Sequence, residues 1–117
     1  MKIYLAGPMS GIPKFNFPAF FAAARQLRSE GHEVFCPAEN DIEKHGTGWW
    51  ENSDGSHTNL PPAINYRNCL RDDLNWILDH ADAIAHLPGW EFSSGVGVEH
   101  ALGKALKLKM IYLPGGA

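Results

Sequence analysis

An α/β fold is what this sequence predicts, built on one doubly wound parallel sheet of about four strands with helices on both faces. Three observations predict it. Short apolar runs alternate with longer stretches of helical period along the 117 residues, and strands that alternate with helices pair in parallel through right-handed crossovers. The apolar runs are nearly continuous, as strands buried on both faces are. Turns rich in glycine, serine and proline follow the first and third runs (GPMSG and PGWEFSSG), where such a sheet opens its ligand crevice.

Taken in order, Lys2 to Ala6 (KIYLA) is the first strand, and Gly7 to Gly11 is a turn because two glycines and a proline break any regular element. Asn16 stands as an N-cap and Pro18 in the first turn of a helix from Phe17 to about Glu30. That helix carries Phe20, Phe21, Ala24 and Leu27 at helical spacing, and Gly31 ends it. Glu33 to Cys36 is the second strand, closed by Pro37. From Ala38 to about Pro62 neither period is evident, so the stretch is expected to be a long loop. Its adjacent Trp49 and Trp50 argue against plain disorder, since aromatics want cover. A lid or partner-contacting loop and a packed surface insertion both fit.

Ala63 to Ala81 reads as a helix whose apolar stripe is Leu70, Leu74, Ile77, Leu78 and Ala81, with Asp73 at its margin. Ala83 to Leu87 is the third strand. A helix carrying Glu99 runs to about Leu108, and Lys109 to Leu113 is the fourth strand, leaving Pro114 to Ala117 as a tail. Residues 1–117 thus form a single domain with the strand order 2-1-3-4, Rossmann- or flavodoxin-like. The order reverses between strands one and three, and ligands bind there, beyond the C-terminal strand ends. Gly7-Pro8-Met9-Ser10-Gly11 and Pro88 to Ser94, including Trp90, therefore meet in one crevice.

Composition excludes several classes. Hydrophobic residues at 44% and charged ones at 20% are ordinary for a globular domain. A net charge of -3 argues against a nucleic-acid partner, because phosphate-reading domains are basic. No apolar run reaches the roughly 18 residues of a membrane span, and the N-terminus does not read as a signal peptide. Cys36 and Cys69 match no metal or redox spacing, so reduced thiols in a cytoplasmic protein are expected. His45, His57, His86 and His100 show no spacing that builds a metal site.

The chemistry centres on SSGVGVEHALGK. A strand that ends in a Gly/Ser turn and feeds a helix presents free N–H groups, which attract anions and polar sugars. Ser93, Ser94, Gly95 and Gly97 make that turn, and Glu99 lies in the first turns of the helix. GPMSG is neither a GxGxxG fingerprint nor a Walker A loop, so it carries little on its own.

In combination, YLAGP, DDLNWILDHAD and SSGVGVEHALGKAL resemble the nucleoside 2-deoxyribosyltransferase superfamily, which includes the 2'-deoxynucleoside 5'-phosphate N-hydrolases. The chain looks closest to small bacterial and phage proteins with the pattern LPGWxxSxGxxxE, a DUF4406-like group. The resemblance implies that Glu99 is a nucleophile attacking C1' of a sugar. It implies that Asp73, with Asp72 a near alternative, binds the sugar or protonates the base, and that Tyr4 hydrogen-bonds the nucleophile. Ser93 and Gly95 match the turn that contacts the sugar's 5' end or its phosphate, and Gly7 matches the backbone position after strand one. Where the phosphate-specific hydrolases carry an arginine, this chain has Ser10.

Cleavage of an N-glycosidic bond then proceeds through an oxocarbenium-like state captured by a carboxylate, with a second acid protonating the departing base. Water as acceptor gives hydrolysis and a second base gives transfer. No metal or organic cofactor is needed. The expected partner is a nucleoside or nucleotide, in a homodimer or larger homo-oligomer. Two other classes remain: a non-catalytic nucleotide-binding module using the same crevice, and a protein-interaction role centred on Trp49-Trp50.

Overall fold

The structure is a computed structural model that describes residues 1–57, 60–61 and 64–114. Strands β1 (Lys2–Ala6), β2 (Glu33–Phe35), β3 (Ala83–His86) and β4 (Lys109–Tyr112) form one parallel sheet in the order β2-β1-β3-β4. Among the described residues the α-helices are α1 (Phe17–Ser29), α2 (Pro37–His45), α3 (Tyr66–His80) and α4 (Ser94–Ala105). The predicted order and class are the observed ones.

Strand alternation assigns each face of the sheet. Ile3 and Leu5 point one way with Ala83 and Ala85, where Phe17, Phe20, Ala24 and Leu27 of α1 cover them. Tyr4, Ala6 and Ile84 point the other way, against Ile77 of α3 and Val96 of α4. The side chain of Tyr4 is therefore delivered to the α3–α4 layer. Gly103 lets α4 lie close on the strands: a Cβ there would fall 2.5 Å from Cδ1 of Ile84 and 2.6 Å from Cε of Met110.

The stretch from Ala38 to Pro62 is not all loop. Its first part is α2, with Pro37 at the start, Glu39 in the first turn, and Lys44 and His45 in the last turn before Gly46. Proline at N1, an early acid and late bases suit a helix and its dipole. The helix is short and mostly polar, with Ala38 and Ile42 as its inward residues, so no period stood out.

Trp49 and Trp50 are packed against the start of α1. Phe17 lies 5.6 Å from Trp49 and 5.1 Å from Trp50, and Phe21 lies 5.7 Å from Trp50. Backbone bonds from Gly11 N–H to Gly55 C=O (2.9 Å) and from Lys14 N–H to Ser53 C=O (2.8 Å) fasten the segment to the turn after β1. Gly55, at φ +91°, is required there, since a Cβ would lie 2.3 Å from the carbonyl oxygen of Ile12.

Several boundaries move. Asn16 stands at the N-cap position but does not cap: its backbone is left-handed and its side chain donates to Pro8 C=O at 3.0 Å. Lys14, Phe15 and Asn16 are successively left-handed, at φ 58°, 52° and 62°. Helix α3 begins at Tyr66 rather than Ala63, because the Asn65 side chain accepts from Asn68 N–H at 2.8 Å and sets the start; residues 62–63 lie outside the described ones. Leu78 faces solvent, and Ile77 is the buried member of the expected stripe. Helix α4 ends at Ala105, three residues before Leu108, because Lys107 turns left-handed at φ 59°. Strands two, three and four each end one residue early, and the tail from residue 115 lies outside the described residues.

Candidate active site

At the C-terminal ends of β1 and β2 a cavity of about 620 Å3 opens between the helical layers. Its walls come from the turn after β1, from α2, from the Trp49–His57 segment, and from the starts of α3 and α4. Such a volume is normal for a small-molecule site. Phe15, Phe17, Trp49, Tyr66 and Phe92 supply flat apolar surface, and Tyr4, Asp41, Ser93 and Glu99 supply polar groups.

Glu99 is only 6% exposed, although it is a carboxylic acid. The wholly buried Tyr4 donates its hydroxyl to Oε2 of Glu99 at 2.7 Å. Burial pushes Glu99 well above the ordinary carboxylate range, the nearby charge of Asp73 adds to this, and the Tyr4 hydroxyl opposes it. Asp73 is pushed up to about 6, chiefly by burial, with Tyr4 and Glu99 opposing and Asp72 adding. Two carboxyls this close do not both ionise readily, so the pair holds a shared proton to higher pH than an isolated acid would. Burial and the carboxylates of Glu99 and Asp73 together raise Tyr4 well above 10, so it remains a donor.

Helix α4 presents its N-terminus to the cavity. Ser93 caps it, accepting from Val96 N–H at 3.3 Å. The N–H groups of Ser94 and Gly95 lie at the first helical positions, where no intrahelical acceptor exists. Both residues line the cavity.

Of the expected site residues, Tyr4, Gly7, Pro8, Met9, Ser10, Ser93, Gly95 and Glu99 line this one cavity. Asp73 is not among the lining residues; it interacts with both Tyr4 and Glu99. Asp72 is turned to Lys44, with which it forms a salt bridge. Gly97 lies outside the lining and is exposed. Trp90 is a clear departure. The short helical turn over Trp90–Phe92 sends its ring away from the cavity, where it stacks on His100 at 4.6 Å and tilts on His86 at 4.9 Å.

His86 is fully buried and bonded at Nδ1 to Ile111 C=O (2.9 Å) and at Nε2 to His100 Nδ1 (2.9 Å). A carbonyl only accepts, so His86 carries its proton on Nδ1 and accepts from His100. Among the described residues no group of three or more His, Cys, Asp or Glu is placed to hold a metal ion.

The residue that sequence reasoning missed is Asp41. It lies on α2, lines the cavity, and is pushed up to about 7 by burial, with Asp73 and Asp72 adding to it. The thiol of Cys69 approaches its Oδ1 at 4.0 Å. Glu39 and Lys44 on either side carried the helix signal that would have found it. The cavity thus combines a buried carboxyl nucleophile candidate, a second carboxyl protonated near neutrality, anion-favouring N–H groups and aromatic walls.

No helix among the described residues is long and apolar enough to cross a membrane. No curated protein and no solved structure matches the chain. One family profile does, that of the domain of unknown function DUF4406, over residues 1–112. The matched span takes in every strand and every residue of the cavity, and the chain belongs to the DUF4406 family.

Proposed function

We propose that this protein cleaves or transfers at the N-glycosidic bond of a (deoxy)nucleoside or nucleoside 5'-monophosphate, with Glu99 as nucleophile. The observation that carries the proposal is the buried Glu99 carboxyl in the cavity, held at 2.7 Å by the Tyr4 hydroxyl. A buried acid fixed by a donor and facing open space is costly to a fold and useful to a reaction. The rest of the lining suits the substrate class. A flat base stacks on aromatic walls, a sugar hydroxyl bonds to carboxyls and Ser93, and an anion is favoured by the N-terminus of α4. The likeness of YLAGP, DDLNWILDHAD and SSGVGVEHALGKAL to nucleoside 2-deoxyribosyltransferases supports the same reading.

In the first half-reaction one Glu99 oxygen forms a bond to C1' while the C1'–N bond breaks and its electron pair leaves with the base. The departing base takes up a proton, and water or a second base then attacks C1', giving up a proton as the pair of the Glu99–C1' bond returns to the carboxylate. Tyr4 holds the attacking carboxylate throughout. The test is release of free base from a panel of nucleosides and 5'-monophosphates, with and without an acceptor base, compared with Glu99→Gln. Release by the native protein and not by the variant is expected. Full activity in Glu99→Gln overturns the proposal. Nucleotide binding without release makes the protein a binding module instead.

A homo-oligomer and a cytoplasmic setting belong to the same proposal. Phe92, 89% exposed, and Tyr66, 60% exposed, stand at the cavity rim with apolar side chains open to solvent, and both cysteines are free thiols. Sedimentation of a monomer at micromolar concentration would refute the assembly.

A further inference from the structure

We infer that Asp41 is the general acid–base of this site, protonating the departing base, and that Asp73 is a positioning residue for Glu99. The inference rests on the N-glycosidase reading and divides the two acid roles differently from the sequence-based expectation.

Geometry makes the division. A group that protonates a leaving base must reach into the space the base occupies, within hydrogen-bond distance of a ring nitrogen or oxygen. Asp41 lines the cavity and Asp73 does not. Asp73 is engaged with the nucleophile, sharing its charge with Glu99 and Tyr4. Asp41 stands on a different wall. Helix α2 is clamped between layers, by Arg28–Glu39 at 2.7 Å towards α1 and by Lys44–Asp72 towards α3. Asp41 on α2 and Glu99 on α4 thus reach the one cavity from different helices, and in this reading the substrate lies between them. Nucleophile and acid have to flank the scissile bond.

The surroundings of Asp41 keep its proton. Asp72 and Asp73 of α3 face it with like charge, the Cys69 thiol is its hydrogen-bond neighbour, and Lys44 on its own helix provides an opposing charge. Lys44 is itself drawn to Asp72. An acid poised near neutrality is what proton donation at neutral pH requires. Asp73, by contrast, is the neighbour that lets one proton be shared, leaving Glu99 ionised when the proton resides on Asp73.

The proton inventory closes. In glycosylation the Asp41 proton moves to the base as the C1'–N pair departs with it and Glu99 bonds to C1'. In hydrolysis the Asp41 carboxylate takes a proton from water as its oxygen attacks C1' and the Glu99–C1' pair returns to Glu99. Both carboxyls end as they began.

The test compares two substrates that differ in their need for a proton: a nucleoside, and a 4-nitrophenyl glycoside of the same sugar, whose leaving group departs as a stable anion. The readout is kcat/KM, which reports steps through glycosylation. Asp41→Asn is expected to lose at least about 100-fold on the nucleoside, the usual share of general acid catalysis, and less than about 10-fold on the nitrophenyl glycoside. Asp73→Asn is expected to lower both alike. With the native protein, the nucleoside profile should fall above about pH 7 and the nitrophenyl profile should lack that limb. This arm needs no variant and decides the matter if Asp41→Asn does not fold. Equal losses of Asp41→Asn on both substrates, a selective nucleoside loss in Asp73→Asn, or the same basic limb with both substrates would overturn the inference. A native protein inactive on every substrate would overturn the N-glycosidase reading itself, whereas dependence on Glu99 without dependence on Asp41 would overturn only this one.

Discussion

Replacing Tyr4 with phenylalanine isolates the bond that prepares Glu99. The ring stays, stacked 5.6 Å from Phe35, and only the hydroxyl is lost. That hydroxyl donates to Glu99 over 2.7 Å in a fully enclosed setting. A hydrogen bond to a charged group contributes about 1.5–3 kcal/mol, and a pKa change of one corresponds to about 1.36 kcal/mol. Losing a bond that favours the ionised form should therefore raise the Glu99 pKa by about one to two. The assay is a carboxyl 13C titration of Glu99 in labelled protein, which needs no substrate. Linkage adds a second readout. Glu99 titrates higher folded than unfolded, so its contribution to stability is present at low pH and is lost as pH rises through the folded value. Because the variant raises that value further, its melting temperature should fall increasingly behind the native protein's as the medium becomes alkaline. A Glu99 that titrates at an unchanged or lower pH in Tyr4→Phe would refute the reasoning.

Other outcomes follow from the same structure. Asp41 titrates near 7 instead of near 3.8, so its ionisation lowers stability between about pH 4 and 7. Asp41→Asn should raise the melting temperature more at pH 8 than at pH 5, by an amount worth up to about 2.5 kcal/mol before screening by the water it still touches; an equal gain at both would count against that burial. Gly55→Ala meets both a left-handed backbone and the Ile12 carbonyl. It should cost at least about 1–3 kcal/mol and expose 46–57 to limited proteolysis, and an unchanged digest would contradict the fastening described above. Trp49 donates to Gly46 C=O at 2.7 Å, while the buried Nε1 of Trp50 has no partner among the described residues. Trp49→Phe should therefore destabilise more than Trp50→Phe, and denaturant melts showing the reverse order would reject this.

Sheet order was legible because each strand is a short, mostly apolar run and each crossover has a loop or helix of the right length. Glu99 and Tyr4 were legible through their local motifs, and strand alternation explains why they meet. Asp41 was not, since PAENDIEKH is too short and too polar for a period to emerge, and a residue read as loop has no face. Trp90 was placed in the correct loop, yet the direction of its ring depends on a single short turn and on the partners His86, His100 and Tyr112 that receive it. Motif position sets where the chain passes; the direction of a side chain waits on tertiary packing. The left-handed run Lys14–Asn16 has no sequence signal beyond Asn16, because lysine and phenylalanine do not favour that region.

The position of β1 between β2 and β3 has a consequence for synthesis. Its Lys2 N–H is bonded to Asp82, 80 residues along, and Ile3 pairs with Ala83. At about 5–20 residues per second, β1 waits several seconds beside β2 with one edge unpaired. Tyr4, Asp41, Asp73 and Glu99 arrive on successive units, so no nascent fragment shorter than the Glu99 helix assembles the cavity. The ribosome-bound chain is thus most open to wrong pairing, and to chaperones that mask strand edges, in the interval between emergence of the first strand and the third.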